Sequence, residues 1–302
     1  MTGDSGKPAA EADSAASRGP TPADLARDYG LTVSGLAAHA GGFESEGWVA
    51  DGTWFLKVWR AGITPEPSSL DVLRDLQDLG LPVAAPIATA SGAVQATWNN
   101  RAYAVFPAVQ GRPAIDSDWR QWARALRQVH DARPIPAALT VARIDDSYAR
   151  NLLDRLDQPW IAPRGNELVA AIERLDDVVR RARQSPAPEL ICHTDFIAQN
   201  LLIGSDNQIA AILDWDQAAV APREHDLWIA AETRHLEDFL TEYGARDLSL
   251  VHLEYALLSR ALRDLTARIL DEVDRPGVQT WGFDRLARLD HDLTRFRPFC
   301  AG

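Results

Sequence analysis

The hydrophobic pattern changes character once along this chain, and this change limits the possible folds more than any other feature. Residues 31–109 hold short runs of apolar, aromatic and β-branched residues separated by turn residues, which is typical of antiparallel strands. Beyond Gly111, apolar residues recur every three or four positions over long stretches, which indicates amphipathic helices. We therefore predict an α+β chain with a small antiparallel sheet, one inserted helix and a mostly helical remainder.

Turn residues place the elements of the sheet region. Asp51-Gly52 is a strong hairpin signal between two apolar runs, and Asn99-Asn100 predicts a second tight turn. A helical stripe over 68–79 ends at a glycine. Strands are expected over residues 31–40, 48–50, 53–59, 85–90, 93–98 and 102–109.

The helical region contains a strand-rich insert at 190–213 that carries most of the polar motifs. Residues 1–20 are small and polar without any period, which predicts a disordered tail. We expect a β-rich N-terminal lobe over 21–107 and a helical C-terminal lobe over 108–302 that holds a loop-rich site. Helices are expected over residues 118–130, 166–183, 224–243, 249–272 and 283–296.

Composition limits the partners. The net charge is −12 and the pI is about 5.0, which argues against nucleic acid as a partner and fits a small cationic substrate. The same charge is equally consistent with a role in solubility alone. No apolar run is long enough for a membrane span, and the N-terminus lacks the apolar core of a secretion signal. We expect a cytoplasmic protein without a membrane partner, as a monomer or a weak dimer.

One lysine stands out. Basic side chains are almost all arginine, and the only lysines are Lys7, in the predicted tail, and Lys57, in an apolar strand. Since arginine serves for ordinary surface charge here, Lys57 is predicted to have a specific task.

The insert also holds a set of oxygen ligands. Asp195 precedes an apolar strand, Asn200 begins it, and Asp214 ends the next strand beyond a short turn. A hairpin brings residues at its ends to a common edge, so two carboxylates and an amide can converge there. Phosphoryl transfer needs such a set, with one carboxylate for the attacking hydroxyl and oxygen ligands for Mg²⁺.

These residues also form a recognisable motif. The segment from His193 through Asp195 to Asn200, followed by Asp214 and Asp216, resembles the aminoglycoside phosphotransferase family, which shares the two-lobed protein-kinase-like fold. The resemblance implies an ATP-dependent O-phosphotransferase with Mg²⁺, and nothing in the sequence excludes GTP as the donor. By resemblance, Asp195 is the catalytic base, and Asn200 and Asp214 bind the metal.

The resemblance runs from about residue 31 to 272 and implies the nucleotide contacts. Lys57 would pair with the α and β phosphates. Gly42 and Ser45 lie in the glycine-rich turn that would cover the phosphates. Backbone groups near Phe106 and Ala108 would bind the adenine edge.

Five further positions are less specific. A kinase of this family pairs its lysine with a glutamate on the next helix, where this chain offers Asp71, with Glu66 as the alternative. Asp216 either braces the loop or binds metal directly. Trp215 either belongs to the core or lines the site. His193 is expected to orient the loop more than to react.

Within the family, some residues favour the spectinomycin-type branch. They include the Cys192–Asp195 segment and, on a late helix, Tyr255, Arg260 and Asp264, although Ser259 stands where that branch tends to have an acid. The resemblance thus implies an aminoglycoside or aminocyclitol acceptor.

Two alternatives stay open. A small-metabolite kinase of the same fold would act on choline, homoserine, methylthioribose or a sugar amine. A nucleotide-binding pseudokinase would not react, and the intact acidic residues argue against it.

Overall fold

The computed structural model describes residues 19–39, 45–65, 67–271 and 278–301, which form two compact units. The first unit comprises the chain up to Leu70 together with Ala85–Ala108, and the second holds the remainder. The helices are α1 (Pro22–Tyr29), α2 (Pro67–Asp78), α3 (Trp119–Asp131), α4 (Ser147–Arg150), α5 (Gly165–Ala182), α6 (Glu224–Leu227), α7 (Leu236–Tyr243), α8 (Leu250–Asp271) and α9 (Val278–Phe296). The strands are β1 (Leu36–His39), β2 (Ser45–Ala50), β3 (Trp54–Trp59), β4 (Ala96–Trp98), β5 (Arg101–Pro107), β6 (Arg112–Pro113), β7 (Glu189–Cys192), β8 (Leu201–Ile203), β9 (Ile209–Ile212) and β10 (Ala219–Pro222).

The first unit is built on a five-stranded antiparallel sheet in the order β1-β2-β3-β5-β4. Its two tight turns adopt the left-handed backbone that such hairpins require. The φ angles are 49° and 69° at Asp51 and Gly52, and 48° and 59° at Asn99 and Asn100. Both turns predicted from the sequence are therefore confirmed, and β3, which carries Lys57, is the central strand.

Helix α1 is fastened to this sheet by tyrosine hydrogen bonds. The Tyr29 hydroxyl donates to the Tyr103 carbonyl oxygen over 3.0 Å, and the Tyr103 hydroxyl donates to Asp28 Oδ2 over 2.6 Å. The buried core between helix and sheet consists of Leu25, Tyr29, Ala50, Leu56, Val58, Tyr103 and Val105. Burial of these side chains holds β3 and β5 in register.

The predicted strand over 85–90 is wrong. Pro86 has no N–H to donate to a ladder, and prolines are confined to strand edges for this reason. The Ile87 N–H still donates to the Val105 carbonyl oxygen, but the Ala90 N–H donates to the Asp28 carbonyl oxygen, so the segment leaves the sheet. Residues 85–90 form an irregular segment.

The predicted tail differs at its end. Gly19 and Pro20 are buried, and a side-chain carbon on Gly19 would overlap the Trp48 ring. The rest of the tail, residues 1–18, lies outside the described residues, as does most of the glycine-rich turn, residues 40–44.

The second unit is mostly helical. Helix α8 packs against α5 and α9, and α3 packs against α7. Residues 71–84, which the sequence places in the N-lobe, group with this unit. The physical reason is hydrogen bonding, because the Ile212 N–H donates to the Pro82 carbonyl oxygen over 2.7 Å and Gln128 Nε2 donates to the Gly80 carbonyl oxygen over 3.1 Å.

The single helix predicted over 224–243 is also wrong. Helix α6 ends at Leu227, a 3₁₀ turn follows, and α7 begins at Leu236. Thr233 interrupts the run with an extended backbone, since its hydroxyl donates to the Ala230 carbonyl oxygen and accepts from the His235 N–H. Threonine side chains that bond to nearby backbone in this way compete with helix formation.

The strands of the second unit carry the motif residues. Strand β8 lies between β6 and β9, which confirms the predicted hairpin in the insert, and β7 pairs with β10. Gly111, just before β6, lies close to the backbone of β8. A Cβ at this position would lie 2.9 Å from the Ile203 carbonyl oxygen. Within the described part of the chain, none of the helices has the length and apolar character that crossing a bilayer requires.

Candidate active site

The loop after β7 and the two ends of the β8–β9 hairpin meet in the second unit. Asn200 Nδ2 donates to the Asp195 carbonyl oxygen over 2.9 Å and to Asp195 Oδ2 over 3.2 Å. The Leu213 N–H donates to the Asn200 carbonyl oxygen over 2.7 Å, which ties the residue before Asp214 to the start of β8. The structure thus joins Asp195 to Asn200 directly and brings Asp214 to the same end of the hairpin through the backbone.

Asp214 has an unusual backbone. Its φ and ψ angles of 62° and 58° are left-handed, a conformation that aspartate tolerates better than most residues. The next residue, Trp215, is buried, and its Nε1 donates to the Ile212 carbonyl oxygen over 2.8 Å. Trp215 therefore belongs to the core and anchors the turn, while the side chains of Asp214 and Asp216 are exposed.

His193 links the two acidic segments. Its ring is buried, and Nε2 lies 2.8 Å from the Leu213 carbonyl oxygen, which assigns the ring proton to Nε2. Nδ1 then accepts from the Asp195 N–H over 3.3 Å. The ring also lies against Trp215, with centroids 4.7 Å apart. This geometry is that of a residue that orients the loop.

The buried carboxylate of Asp226 holds the backbone of the same loop. Asp226 Oδ2 accepts from the His193 N–H over 2.8 Å, and Oδ1 accepts from the Thr194 N–H over 2.6 Å. His130 Nε2 lies 3.1 Å from Asp226 Oδ2, and its Nδ1 lies 2.7 Å from the Tyr243 hydroxyl. We call these five residues the loop brace. Burial alone would raise the pKa of Asp226, but His130, His193 and the backbone N–H group hold this pKa below its usual value.

The same place does not fit a metal ion. His130, Cys192 and Asp226 offer ligand atoms within 4.8 Å of one another. However, burial raises the pKa of the Cys192 thiol well above its usual value, so the thiol keeps its proton and donates to the Ala221 carbonyl oxygen over 3.4 Å. Both Asp226 oxygens accept backbone N–H groups. The cluster is a hydrogen-bonded support.

On the other side, Asp195 contacts helix α8. Arg260 Nη1 donates to Asp195 Oδ1 over 2.5 Å, and Arg260 Nε lies 3.1 Å from Asp264 Oδ1. Arg285 on α9 bonds to Asp264 and pairs with both oxygens of Glu232. We call Asp195, Arg260, Asp264, Arg285 and Glu232 the ion-pair chain. Sequence reasoning missed the contact to Asp195. The only available signal was the i, i+4 spacing of Arg260 and Asp264.

In the ion-pair chain, the buried carboxylate of Asp264 is less well compensated than that of Asp226 in the loop brace. Burial raises the pKa of Asp264, and Arg260 and Arg285 offset this only partly, since Glu232 and Asp195 add negative charge. The Arg260 guanidinium also lies on the face of Trp228, 4.7 Å from the ring centroid. Arg260 is therefore fixed from three directions.

Two of the predicted nucleotide contacts, Lys57 and Ser45, are described in the first unit. Lys57 faces Gly47 and Ala104 across the sheet, is half-buried, and has its Nζ 5.4 Å from the Trp59 ring centroid. Ser45 begins β2 and is buried. Gly42 lies outside the described residues.

The remaining predicted positions differ in their surroundings. Phe106 is buried in β5 opposite Phe55. The Ala108 N–H donates to the Thr53 carbonyl oxygen over 2.8 Å, so a contact from Ala108 to a base would use its carbonyl group. Asp71, in the second unit, is exposed, and its Oδ1 lies 3.5 Å from Arg74 Nη1. Its predicted alternative, Glu66, lies outside the described residues.

Comparison of the sequence with known families gives one match. The profile of the phosphotransferase enzyme family matches residues 35–263, which is most of the chain. No curated protein matches the chain at a significant level. The family match confirms the resemblance that the motif residues indicate.

Solved structures with the same fold include three informative ones. Spectinomycin phosphotransferase in complex with ADP and spectinomycin is 20% identical, with a TM-score of 0.66 over 88% of this chain and 92% of that chain. An aminoglycoside phosphotransferase from Alicyclobacillus acidocaldarius is 19% identical, with a TM-score of 0.59 over 94% and 99%. A choline/ethanolamine kinase family protein from Mesorhizobium loti is 14% identical, with a TM-score of 0.60 over 92% and 95%. These likenesses confirm the predicted kinase-like α+β fold.

Proposed function

Because this chain belongs to the phosphotransferase enzyme family, we propose that it transfers a phosphoryl group from ATP to a hydroxyl of an aminoglycoside or aminocyclitol. One observation carries the proposal. Asp195 and Asn200 are hydrogen-bonded to each other at the end of a hairpin that also presents Asp214. In-line phosphoryl transfer requires a carboxylate base beside two oxygen ligands for the metal ion.

Asp195 is proposed as the catalytic base. Its side chain is partly exposed, at 21%, so a hydroxyl can reach it. Its backbone is fixed, because the preceding N–H groups bond to Asp226 and its own N–H donates to His193. Asp195 would orient the acceptor hydroxyl and take its proton as the new P–O bond forms.

The donor set fits a magnesium ion. Since Asn200 Nδ2 donates to Asp195, the amide oxygen Oδ1 is the atom that Asn200 can offer to a cation. Asp214 offers an exposed carboxylate on the turn that Trp215 anchors, and both residues supply hard oxygen ligands of the kind Mg²⁺ prefers. When bound, the ion neutralises charge on the phosphates. Asp216 is proposed as a brace of this turn or an additional ligand.

The nucleotide contacts are proposed as the sequence predicts them. Lys57 would bind the α and β phosphates, since it is the only lysine among the described residues. The other proposed contacts are Gly42, Ser45, Asp71, Phe106 and Ala108. ADP in the spectinomycin phosphotransferase structure supports an adenine nucleotide. GTP is an alternative donor for the experiment below.

The acceptor is proposed to be a small cation. The net charge of −12 concentrates cations near the protein, and spectinomycin, bound in one structural neighbour, is an aminocyclitol. The choline/ethanolamine kinase family neighbour supports a second candidate, a kinase for a small amino alcohol. We further propose a cytoplasmic monomer or weak dimer without a nucleic-acid or membrane partner. A pseudokinase is the least supported reading.

The experiment measures ADP release with Mg²⁺-ATP, or GDP release with Mg²⁺-GTP, against a panel of acceptors. The panel holds spectinomycin, hygromycin, streptomycin, kanamycin, choline, homoserine and methylthioribose. Turnover of an aminocyclitol is the expected result. Turnover of only a metabolite would contradict the proposed aminocyclitol acceptor but agree with the proposed phosphoryl-transfer mechanism. Nucleotide binding without turnover of any acceptor would favour the pseudokinase.

The metal ligands have a separate test in the same assay. Asp214→Asn should raise the Mg²⁺ concentration at half-maximal rate by more than about 100-fold, because loss of a residue that only orients a ligand already costs about 10- to 100-fold. Asp216→Asn should raise it less if Asp216 only braces the turn. Equal effects of the two substitutions would make Asp216 a direct ligand.

A further inference from the structure

The carboxylate of Asp195 is held at both oxygens, and by two different parts of the second unit. Oδ2 accepts from Asn200 Nδ2 over 3.2 Å, and Oδ1 accepts from Arg260 Nη1 over 2.5 Å. The partner of Oδ1 is a charged donor at short range, whereas the partner of Oδ2 is a neutral amide at longer range. Charge-assisted hydrogen bonds are roughly twice as strong as neutral ones.

We infer that Arg260 is a positioning residue that fixes the Asp195 carboxylate so that Oδ2 is the atom that accepts the hydroxyl proton. This inference rests on the proposed function and deepens it. In the reaction, the hydroxyl oxygen forms a bond to the transferred phosphorus atom as the bond from phosphorus to the nucleotide oxygen breaks. The electron pair stays on the nucleoside diphosphate, and the hydroxyl proton moves to Oδ2.

The surroundings of Arg260 suit a fixed support. Its Nε lies 3.1 Å from Asp264 Oδ1, and its guanidinium lies on the Trp228 ring. Asp264 is held in turn by Arg285, which also bonds to Glu232. A long arginine side chain with one partner keeps much of its freedom. Arg260 has several partners and is only 23% exposed, so its guanidinium is held in one place. Because Arg260 belongs to α8, these contacts fix the Asp195 carboxylate relative to that helix.

Positioning affects rate more than binding. An error of about 1 Å in the placement of a reacting group can cost on the order of 10²-fold in rate. Arg260 contacts Asp195, which is proposed to touch the acceptor hydroxyl, and it is held by Asp264 and Trp228 within the second unit. Loss of Arg260 should thus lower kcat and leave the KM for the nucleotide unchanged.

The experiment compares Arg260→Met and Arg260→Lys in the full-length protein. Arg260→Met should lower kcat on the order of 10- to 100-fold, with the nucleotide KM within about twofold of wild type. Arg260→Lys keeps one charged donor and should recover a substantial part of the loss. Arg295→Met is the control, since Arg295 of α9 also bonds to a carboxylate on another element, Glu237 of α7. Its kcat should equal that of wild type.

A double substitution separates positioning from helix packing. Asp264→Asn loosens Arg260 and should lower kcat severalfold. If Asp264 acts through Arg260, then Arg260→Met combined with Asp264→Asn should be no slower than Arg260→Met alone. Losses that multiply would mean two independent packing defects and would overturn the inference. An unchanged or raised kcat in Arg260→Met would overturn it as well.

Crystal structures of wild type and Arg260→Met keep the inference testable apart from the proposed function. The inference predicts that the Asp195 carboxylate turns and the Oδ2 bond to Asn200 is lost in the variant. An unchanged carboxylate would overturn it, whichever acceptor the enzyme uses. A wild-type protein that turns over no acceptor would instead contradict the proposed function, and the two failures are thereby distinguished.

Discussion

Asp226 and Asp264 are two aspartates of the second unit that are removed from water, yet their pKa values move in opposite directions. Asp226 is fully buried and its pKa is lowered, whereas Asp264 is 15% exposed and its pKa is raised. Burial raises both pKa values, so the difference comes from the partners. The His130 ring gives the largest opposing effect on Asp226, which also accepts from two backbone N–H groups. Asp264 depends on two arginine side chains and lies near other carboxylates.

The difference shows what stabilises a buried charge. Backbone N–H groups in a folded loop are already in place, so their bonds to Asp226 cost no further side-chain ordering. Arginine partners must be ordered and desolvated, which offsets much of the attraction. The loop brace is therefore expected to contribute stability, and the ion-pair chain to contribute position.

The largest expected effect breaks the loop brace. Asp226→Asn replaces an acceptor oxygen by an amide N–H that faces backbone donors, and it removes the charge beside His130. We expect the free energy of unfolding at pH 7 to fall by about 3–5 kcal/mol. Urea denaturation of wild type and variant measures this change.

The matched substitution in the ion-pair chain is Asp264→Asn. It leaves Arg260 with Asp195 and Arg285 with Glu232, so no charge is left alone. The free energy of unfolding should stay within about 1 kcal/mol of wild type. Equal losses in the two variants would contradict the comparison.

Acid should reveal one more titratable group, His225, which directly precedes Asp226 in the sequence. Burial and, to a lesser extent, the nearby His252 lower the pKa of His225 from 6.5 to about 4, with Asp226 opposing. Below pH 6.5 the unfolded chain binds a proton that the folded His225 does not take until about pH 4. The contribution of neutral His225 to the free energy of unfolding should therefore be fully present above pH 6.5. It should fall by about 3 kcal/mol as the pH drops to about 4.

His225→Phe tests this prediction, since a phenyl ring can keep the contact with Tyr255 and cannot titrate. Denaturation midpoints of wild type and variant at pH 7 and pH 4.5 give the result. The variant should lose less stability between the two pH values than wild type. An identical loss would assign the acid sensitivity to other groups.

A smaller effect is expected at His193. His193→Phe keeps a ring but removes the donor to the Leu213 carbonyl oxygen and the acceptor for the Asp195 N–H. Unfolding should become easier by about 2 kcal/mol, and kcat should fall because the loop is less well held. His193→Gln retains an amide donor, and a loss as large as that of the phenylalanine variant would argue against the hydrogen bonds as the cause.

The smallest effect belongs to an exposed pair. Arg295 holds the pKa of Glu237 at about 2 through two bonds of 2.8 Å, but Glu237 is 55% exposed and solvent screens the pair. Glu237→Gln should cost at most about 1 kcal/mol at pH 7 and less in high salt. A loss as large as that of Asp226→Asn would remove the distinction between buried and exposed carboxylates.

The residues that the sequence predicts to converge are close together along the chain. Asp195, Asn200 and Asp214 flank one hairpin, so local pattern was enough to bring them together. The contact of Arg260 with Asp195 spans 65 positions, and helical periodicity does not tell which helix faces the loop.

The errors in the predicted elements have local causes of another kind. Apolar residues over 85–90 favoured a strand, but Pro86 removes a donor that a ladder needs. The apolar period over 224–243 favours one helix, but α6 ends at Leu227, and the Thr233 hydroxyl bonds to the backbone between the 3₁₀ turn and α7. In both places a single polar or conformational feature outweighed the hydrophobic pattern.

The most direct test of the central claim is acceptor-dependent ADP release by Asp195→Asn, with Mg²⁺-ATP binding measured on the same protein. The substitution keeps the shape of the side chain and removes the proton acceptor. We predict a kcat lower on the order of 10³-fold and a nucleotide Kd within about twofold of wild type. A variant that still turns over within tenfold of wild type would show that Asp195 is not the base.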